Sequence, residues 1–352
     1  MQEIYLGIDW HKKTSTWVAL DVERNVIWER QKVACVPEAV RAAYTEVAQL
    51  SPDIRGAIEP VWGWRWASDL LEELGGDIRI ANPIKLKQIA QSATKNDRND
   101  AYTLADTHRG KLLPEAYKCS QEIYSLREYV RTRGYLVRLR TGIKCRIHAY
   151  CAERGLHTTS TAPLSVKGRV TLLQQGDPVL LSMFRILDDL SVQVNDLERI
   201  LKHQSEALPE IQRLLTMPGV GLVSAAAIYA EVADFSRFPT AKQLVSYAGL
   251  NPRERSSGER QRFGRISKEG SGMLRYTLVE CAMRVRNVPE SQHLYAFYER
   301  LRTQQKKTPM VARVALARKL LTALWYMTHR GEDYNDALLA PAQRQEDSVF
   351  WD

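Results

Sequence analysis

The chain has 352 residues, is 44% apolar and 26% charged, and carries a net charge of +9. That length suits two domains, and the apolar share is ample for ordinary globular cores. The basic surplus favours a polyanionic partner, and five scattered cysteines with no Cys-x-x-Cys argue against a disulfide scaffold or a zinc ribbon and fit a reducing cytosol.

The amino terminus, MQEIYLGIDWHKK, has no basic-then-apolar leader pattern. YLGIDW, TSTWVALDV and VIWERQKVA are β-branched or aromatic runs at the spacing of a three-stranded meander. EAVRAAYTEVAQL follows with helical periodicity. IRGAIEP reads as a fourth strand closed by Pro60, WRWASDLLEEL as an amphipathic helix ended by Gly75 and Gly76, and DIRIANP as a fifth strand closed by Pro83. A basic helix, IKLKQIAQSA, and another helix in NDAYTLADTHRGKLL come next. The order βββαβαβα is that of an RNase-H-like α/β fold.

From about residue 121 the character changes. SLREYVRTRGYLVRLRTGIKCRIHAYCAERG and LLSMFRILDDLSVQVNDLERILKHQSEAL are long amphipathic stretches, read as an antiparallel pair or an oligomerising coiled coil, with GLHTTSTAPLSVKGR as a loop between them. Residues 208 to about 335 read as a mostly helical domain. Its most apolar helix, residues 311–327, is interrupted by Arg313, Arg318 and Lys319, so it packs inside a protein and does not span a membrane. The expected domains are therefore 1–115 (α/β), 116–207 (helical connector), 208–335 (helical) and a polar tail, 336–352, in a soluble, cytoplasmic protein.

Chemistry enters with the acids. Asp9 ends the first strand, Glu59 ends the fourth, and Asp97 and Asp100 sit one helical turn apart in KNDRNDA, flanked by Lys95 and Arg98. Carboxylates gathered in this way repel one another unless a divalent cation lies among them, and such a cation serves phosphodiester chemistry. Each acid also has a plainer reading: a turn residue, a helix cap for Asp97, or a solvated charged face. GIDWHKKTSTWVALDV resembles the first phosphate loop of actin-like ATPases, but Trp10 to Lys13 occupy the stretch where that loop needs glycine. His11 reads as a structural strand-end residue, and Trp10, Trp62, Trp64 and Trp66 as core or interface ahead of base stacking.

LLTMPGVGLVSAAAIYAEVADF has the form of a helix–hairpin–helix, whose glycines would admit a phosphate. Beyond it, Arg253, Arg255, Arg260, Arg262, Arg265 and Lys268 populate a glycine-rich loop around Ser256 and Ser257. No histidine is spaced to activate either serine, so a Ser-His-Asp hydrolase is not supported.

Taken together, YLGIDWHKKT, the Glu59 strand, NPIKLKQIA with KNDRNDA, MPGVG, AEVADFSRF, YAGLNP, SSGERQRFGRISKEGSGMLR and VARVALARKLL resemble the DEDD transposases of the IS110 class of bacterial insertion sequences, described as bridge-RNA-guided recombinases. The resemblance covers most of the chain; the middle helices match in character only. It implies a RuvC-like domain, a coiled-coil connector and a transposase domain. It also implies Mg2+, with Mn2+ possible, held by Asp9, Glu59, Asp97 and Asp100, and a serine nucleophile that maps onto Ser257, with Ser256 the other register. The segment Glu59-Pro60-Val61-Trp62-Gly63 departs from the Glu-Ala-Thr-Gly of relatives. The implied partners are donor and target DNA, a structured non-coding guide RNA, and further copies of the chain in a dimer or tetramer. Arg131, Arg133, Arg138, Arg140, Lys144 and Arg146 are the connector residues expected on a nucleic-acid backbone. Two other readings stand beside this one: a RuvC-like junction endonuclease using water, and a non-catalytic RNA-binding protein.

Overall fold

The computed structural model describes residues 3–89, 96–156, 163–254, 263–285, 288 and 291–336. The chain divides into two compact units, Met1–Lys118 and Cys119–Asp352.

The first unit is built on one mixed sheet. Strands β1 (Ile4–Trp10), β2 (Thr14–Leu20) and β3 (Val26–Ala34) form an antiparallel meander. Helix α1 (Pro37–Ala48) leads to β4 (Ile54–Ile58), parallel to β1; α2 (Trp64–Glu73) leads to β5 (Asp77–Ala81), parallel to β4. Helices α3 (Pro83–Ile89) and α4 (Asp97–Arg109) follow, then a two-residue strand, β6 (Glu115–Ala116), antiparallel to β5. The strand order is β3-β2-β1-β4-β5-β6. The first five strands and the helices between them follow the order expected from the sequence.

β1 is buried along its whole length, because helices cover both faces of the sheet there. Its residues divide by strand alternation. Ile4, Leu6, Ile8 and Trp10 enter the core beneath α1 and α2, with Val40, Tyr44, Val47, Leu70 and Leu71. Tyr5 belongs to the opposite layer, with Val18, Leu20, Ala101 and Ala105, beneath α4. Each fully buried Ile or Leu side chain contributes about 1.5–3 kcal/mol, so a one-residue slip of β1, which would exchange its faces, is heavily disfavoured.

The second unit is mainly helical. Helices α5 (Gln121–Glu153) and α7 (Pro178–Glu206) pack as an antiparallel pair, tied by Arg133 to Glu198 at one level and Tyr150 to Asp177 at another. Between them lies α6 (Val166–Leu173), which falls partly in a stretch read as loop; Ser165 caps it by accepting the Gly168 N–H. The far end of the pair has its own small core around Ile147, Leu172, Leu180 and Phe184. Leu126, Val130 and Leu201, at the other end, belong to the main core formed with α8 (Pro209–Leu215), α9 (Leu222–Val232) and α10 (Ala241–Tyr247). A hairpin of β7 (Pro252–Glu254) and β8 (Phe263–Ile266), then α11 (Gly272–Val285), α12 (Gln292–Thr303) and α13 (Pro309–Arg330), complete the unit. Among the described residues no helix is long and apolar enough to cross a membrane.

The helix–hairpin–helix segment is present as α8, a turn and α9. Its glycine is used internally, however. A β-carbon on Gly219 (φ +80°) would meet the Cys281 carbonyl oxygen of α11 at 2.7 Å, and α9 is buried from Ala225 to Val232. The turn's glycine therefore serves close helix packing.

Candidate metal centre

The acids meet because of how β1 is covered. Asp9 shares the α4 face with Tyr5 and Gly7. A β-carbon on Gly7 would lie 1.9 Å from the Ala101 carbonyl oxygen and 2.6 Å from the Ala105 nitrogen, so the missing side chain lets α4 rest directly on the strand. This brings the first turn of α4 to the end of β1. That helix is capped by Asn96, whose side chain accepts the Asn99 N–H at 2.7 Å. Asp97 is therefore released from the capping role and sits with Asp100 in the first turn. β4 runs in register with β1, Ile8 opposite Ile58, and one further step along both strands sets Glu59 beside Asp9.

Asp9 is 5% exposed. Burial pushes its carboxyl up to about 6; the His11 imidazole opposes the rise, and the nearby Asp100, Asp97 and Glu59 carboxylates add to it. His11 Nε2 stands 3.1 Å from Asp9 Oδ2 and 3.6 Å from Asp97 Oδ1. Ligand atoms of Asp9, His11 and Asp97 all lie within 4.8 Å of one another. The His11 approach does not have hydrogen-bond geometry, so Asp9 Oδ2 is a buried oxygen without a hydrogen bond, which is costly unless something else satisfies it. Hard oxygen donors, mutual repulsion and an orphaned buried oxygen together fit a divalent cation such as Mg2+ or Mn2+.

His11 is the residue that the sequence reading left outside the site. The signal was available in strand alternation: His11 lies two residues beyond Asp9 and so follows it to the same side. Arg98, which flanks the acids in sequence, is paired with Glu29 of β3 at 2.8 Å. Lys95 lies outside the described residues.

In the second unit the basic residues divide. Arg131 makes a two-pronged pair with Glu231, at 2.8 and 3.0 Å, and Arg133 binds Glu198; both serve the fold. Arg138, Arg140, Lys144 and Arg146 continue along α5, with Arg138 and Arg146 exposed. Arg253 donates to the Ser267 carbonyl at 3.0 Å, and Arg265 and Lys268 are exposed. Ser256, Ser257, Arg255, Arg260 and Arg262 lie outside the described residues. The base of their hairpin is firmly tied: Ser267 Oγ donates to Asn251 Oδ1 at 2.7 Å, and Arg275 donates to the carbonyls of Ala248 and Gly270 at 3.0 and 3.1 Å.

Residues 6–153 match the family model for the DEDD transposase of IS110, described as "Transposase", and residues 211–299 match "Transposase IS116/IS110/IS902 family". The chain is 26% identical over 337 residues to a probable family 20 transposase of Pseudomonas aeruginosa, covering 90% of this chain and 98% of that protein. It is 29% identical over 276 residues to the transposase for insertion sequence element IS1111A of Coxiella burnetii, covering 74% of each. It is 26% identical over 298 residues to the transposase for IS1328 of Yersinia enterocolitica, covering 83% of this chain and 88% of that protein. The chain belongs to the IS110/IS116 family of DEDD insertion-sequence transposases.

Proposed function

We propose that this transposase cuts and rejoins DNA through a phosphoserine intermediate, with Asp9, Glu59, Asp97 and Asp100 as the metal-holding set and Ser257 as the nucleophile. The observation that carries the reading is the gathering of three carboxylates, Asp100, Asp97 and Glu59, around a buried Asp9 whose Oδ2 has no hydrogen bond. Residues 1–115 act as an RNase-H-like, RuvC-like domain, 116–207 as the connector and 208–335 as the domain that carries the serine.

The Ser257 oxygen attacks a DNA phosphorus, its proton passing to a cluster carboxylate. A serine–phosphate ester forms as the bond to the leaving 3′-oxygen breaks, and a 3′-hydroxyl is released. A 3′-hydroxyl of the second DNA then attacks the ester and restores the serine. The bond energy is conserved, so no nucleotide is consumed. Mg2+ or Mn2+ held by Asp9, Glu59, Asp97 and Asp100 would supply electrostatic stabilisation of the charge that develops in phosphoryl transfer. The acids and the serine belong to different units, and they act together within an oligomer, from one chain or from two. Arg138, Arg140, Lys144 and Arg146, with the loop residues Arg253, Arg255, Arg260, Arg262, Arg265 and Lys268, hold phosphate backbones without reading sequence. Sequence choice falls to a structured non-coding RNA that pairs with donor and target DNA.

The test is a covalent adduct. Wild-type protein incubated with nicked DNA spanning the element's end yields a protein–DNA species stable to denaturing gels. Ser257→Ala abolishes it and Ser256→Ala keeps it. Normal cutting by Ser257→Ala, with no adduct in the wild type, would instead identify a nuclease that uses water.

A further inference from the structure

The loop between β4 and α2 puts a tryptophan where the core does not need one. Trp10 and Trp17 are fully buried, and Trp28, Trp64 and Trp66 pack against the same core. Trp62 is 73% exposed, the one exposed tryptophan among the described residues. Its backbone is nevertheless held. The Trp62 carbonyl accepts the Trp10 indole N–H at 2.8 Å, Trp10 packs edge-on against Trp66, and the Val61 N–H closes a turn onto the Glu59 carbonyl at 2.9 Å. Lys12, on the turn after β1, places its ammonium 5.2 Å from the ring centroid, a cation–π contact that steadies one face of the indole. At this exposure the opposite face stands in water. An indole whose backbone is fixed and whose second face is open is a ready platform for stacking.

The position says what the occupant is. Trp62 lies three residues beyond Glu59, and its carbonyl is bound by the neighbour of Asp9. Lys12 and Lys13, both exposed, set positive charge beside it. A flat π-face next to ammonium groups, at the edge of a site that holds a phosphodiester, suits a base and its phosphate.

We infer that Trp62 and Lys12 form a stacking subsite for one base of the DNA strand held at the acid cluster, splayed out of its duplex stack. This rests on the reading of Asp9, Glu59, Asp97 and Asp100 as the phosphodiester site. Stacking on an aromatic is indifferent to base identity, so the subsite positions the strand and leaves sequence choice elsewhere.

The experiment uses the full-length protein and a mixed-sequence single-stranded DNA oligonucleotide carrying 2-aminopurine, whose fluorescence falls on stacking. The wild type and Trp62→Phe quench it on binding. Trp62→Ala loses the quench and binds about tenfold more weakly, with unchanged thermal unfolding because the ring lies outside the core. Equal quenching by Trp62→Ala and the wild type, or quenching confined to an RNA oligonucleotide of the same sequence, overturns the inference. Asp9→Asn separates the two claims: it stops cleavage and keeps the quench. Wild-type cleavage by Asp9→Asn would defeat the reading of the acids while the quench still reports on Trp62.

Discussion

Gly7 and Ala101 touch backbone to backbone: no β-carbon fits between strand β1 and helix α4, since one built on Gly7 would stand 1.9 Å from the Ala101 carbonyl oxygen. Strand and helix thereby set Asp9 against Asp97 and Asp100. Gly7→Ala must push the helix away. The expected cost is about 1–3 kcal/mol, as for overpacked cores, together with loss of DNA cleavage. Thermal unfolding and cleavage assays measure both. Ala101→Gly does not rescue the variant, because the obstructing atom is main-chain oxygen.

Asp9 works against the stability of the metal-free protein. Its carboxyl is raised from an ordinary 3.8 to about 6, mainly by burial. A raised acid favours the folded state in full below its unfolded value, and that contribution is lost as pH rises through about 6. A shift of roughly two units corresponds to at most ~3 kcal/mol. In a chelator at pH 7.5, Asp9→Asn therefore unfolds at a higher temperature than the wild type, and the gap closes towards pH 4. The same variant loses about 10²-fold or more in cleavage. Denaturation curves at a series of pH values test the first statement, and strand-cleavage rates the second.

Glu231 has the opposite sign. Burial pushes its carboxyl up, but the paired hydrogen bonds and charge of Arg131, with help from Ser271 and Arg127, outweigh burial and hold it below its ordinary 4.5. Its contribution is present above the ordinary value and is lost as pH falls through the folded one. Arg131→Ala leaves a charge that is 2% exposed without its partner. Breaking a buried pair costs about 3–5 kcal/mol, and the half-exposed arginine places this one near 2–3 kcal/mol. The deficit should shrink in acid as Glu231 protonates. Urea denaturation at pH 7 and pH 4 measures it.

Much of the first unit was legible in the chain. YLGIDW announces a strand by its apolar run, IRGAIEP and DIRIANP by apolar runs with closing prolines, and α2 ends at its glycine pair. The grouping of Asp9 with Glu59 follows from two parallel strands ending side by side. What could not be read was decided by tertiary contact. The seat of α4 depends on Gly7, an unremarkable residue within its strand. β6 is two residues long and exists only because β5 offers an edge. Arg98, beside the acids in sequence, and Arg131, expected on a nucleic-acid backbone, are ion-paired because the fold supplies Glu29 and Glu231. His11 reads as a structural strand-end residue even though alternation puts it on the side of Asp9; its approach to Asp97, at 3.6 Å, depends on where α4 is seated. Ser257 remains known through its motif, outside the described residues.

Calorimetric titration of Mn2+ or Mg2+ into the metal-free protein tests the cluster most directly. The wild type should bind at this centre, Asp9→Asn should not, and Glu59→Gln, Asp97→Asn and Asp100→Asn should each bind more weakly. His11→Ala should also weaken binding, because a ligand atom of His11 lies within 4.8 Å of those of Asp9 and Asp97. Binding by Asp9→Asn with wild-type affinity and stoichiometry would contradict the account.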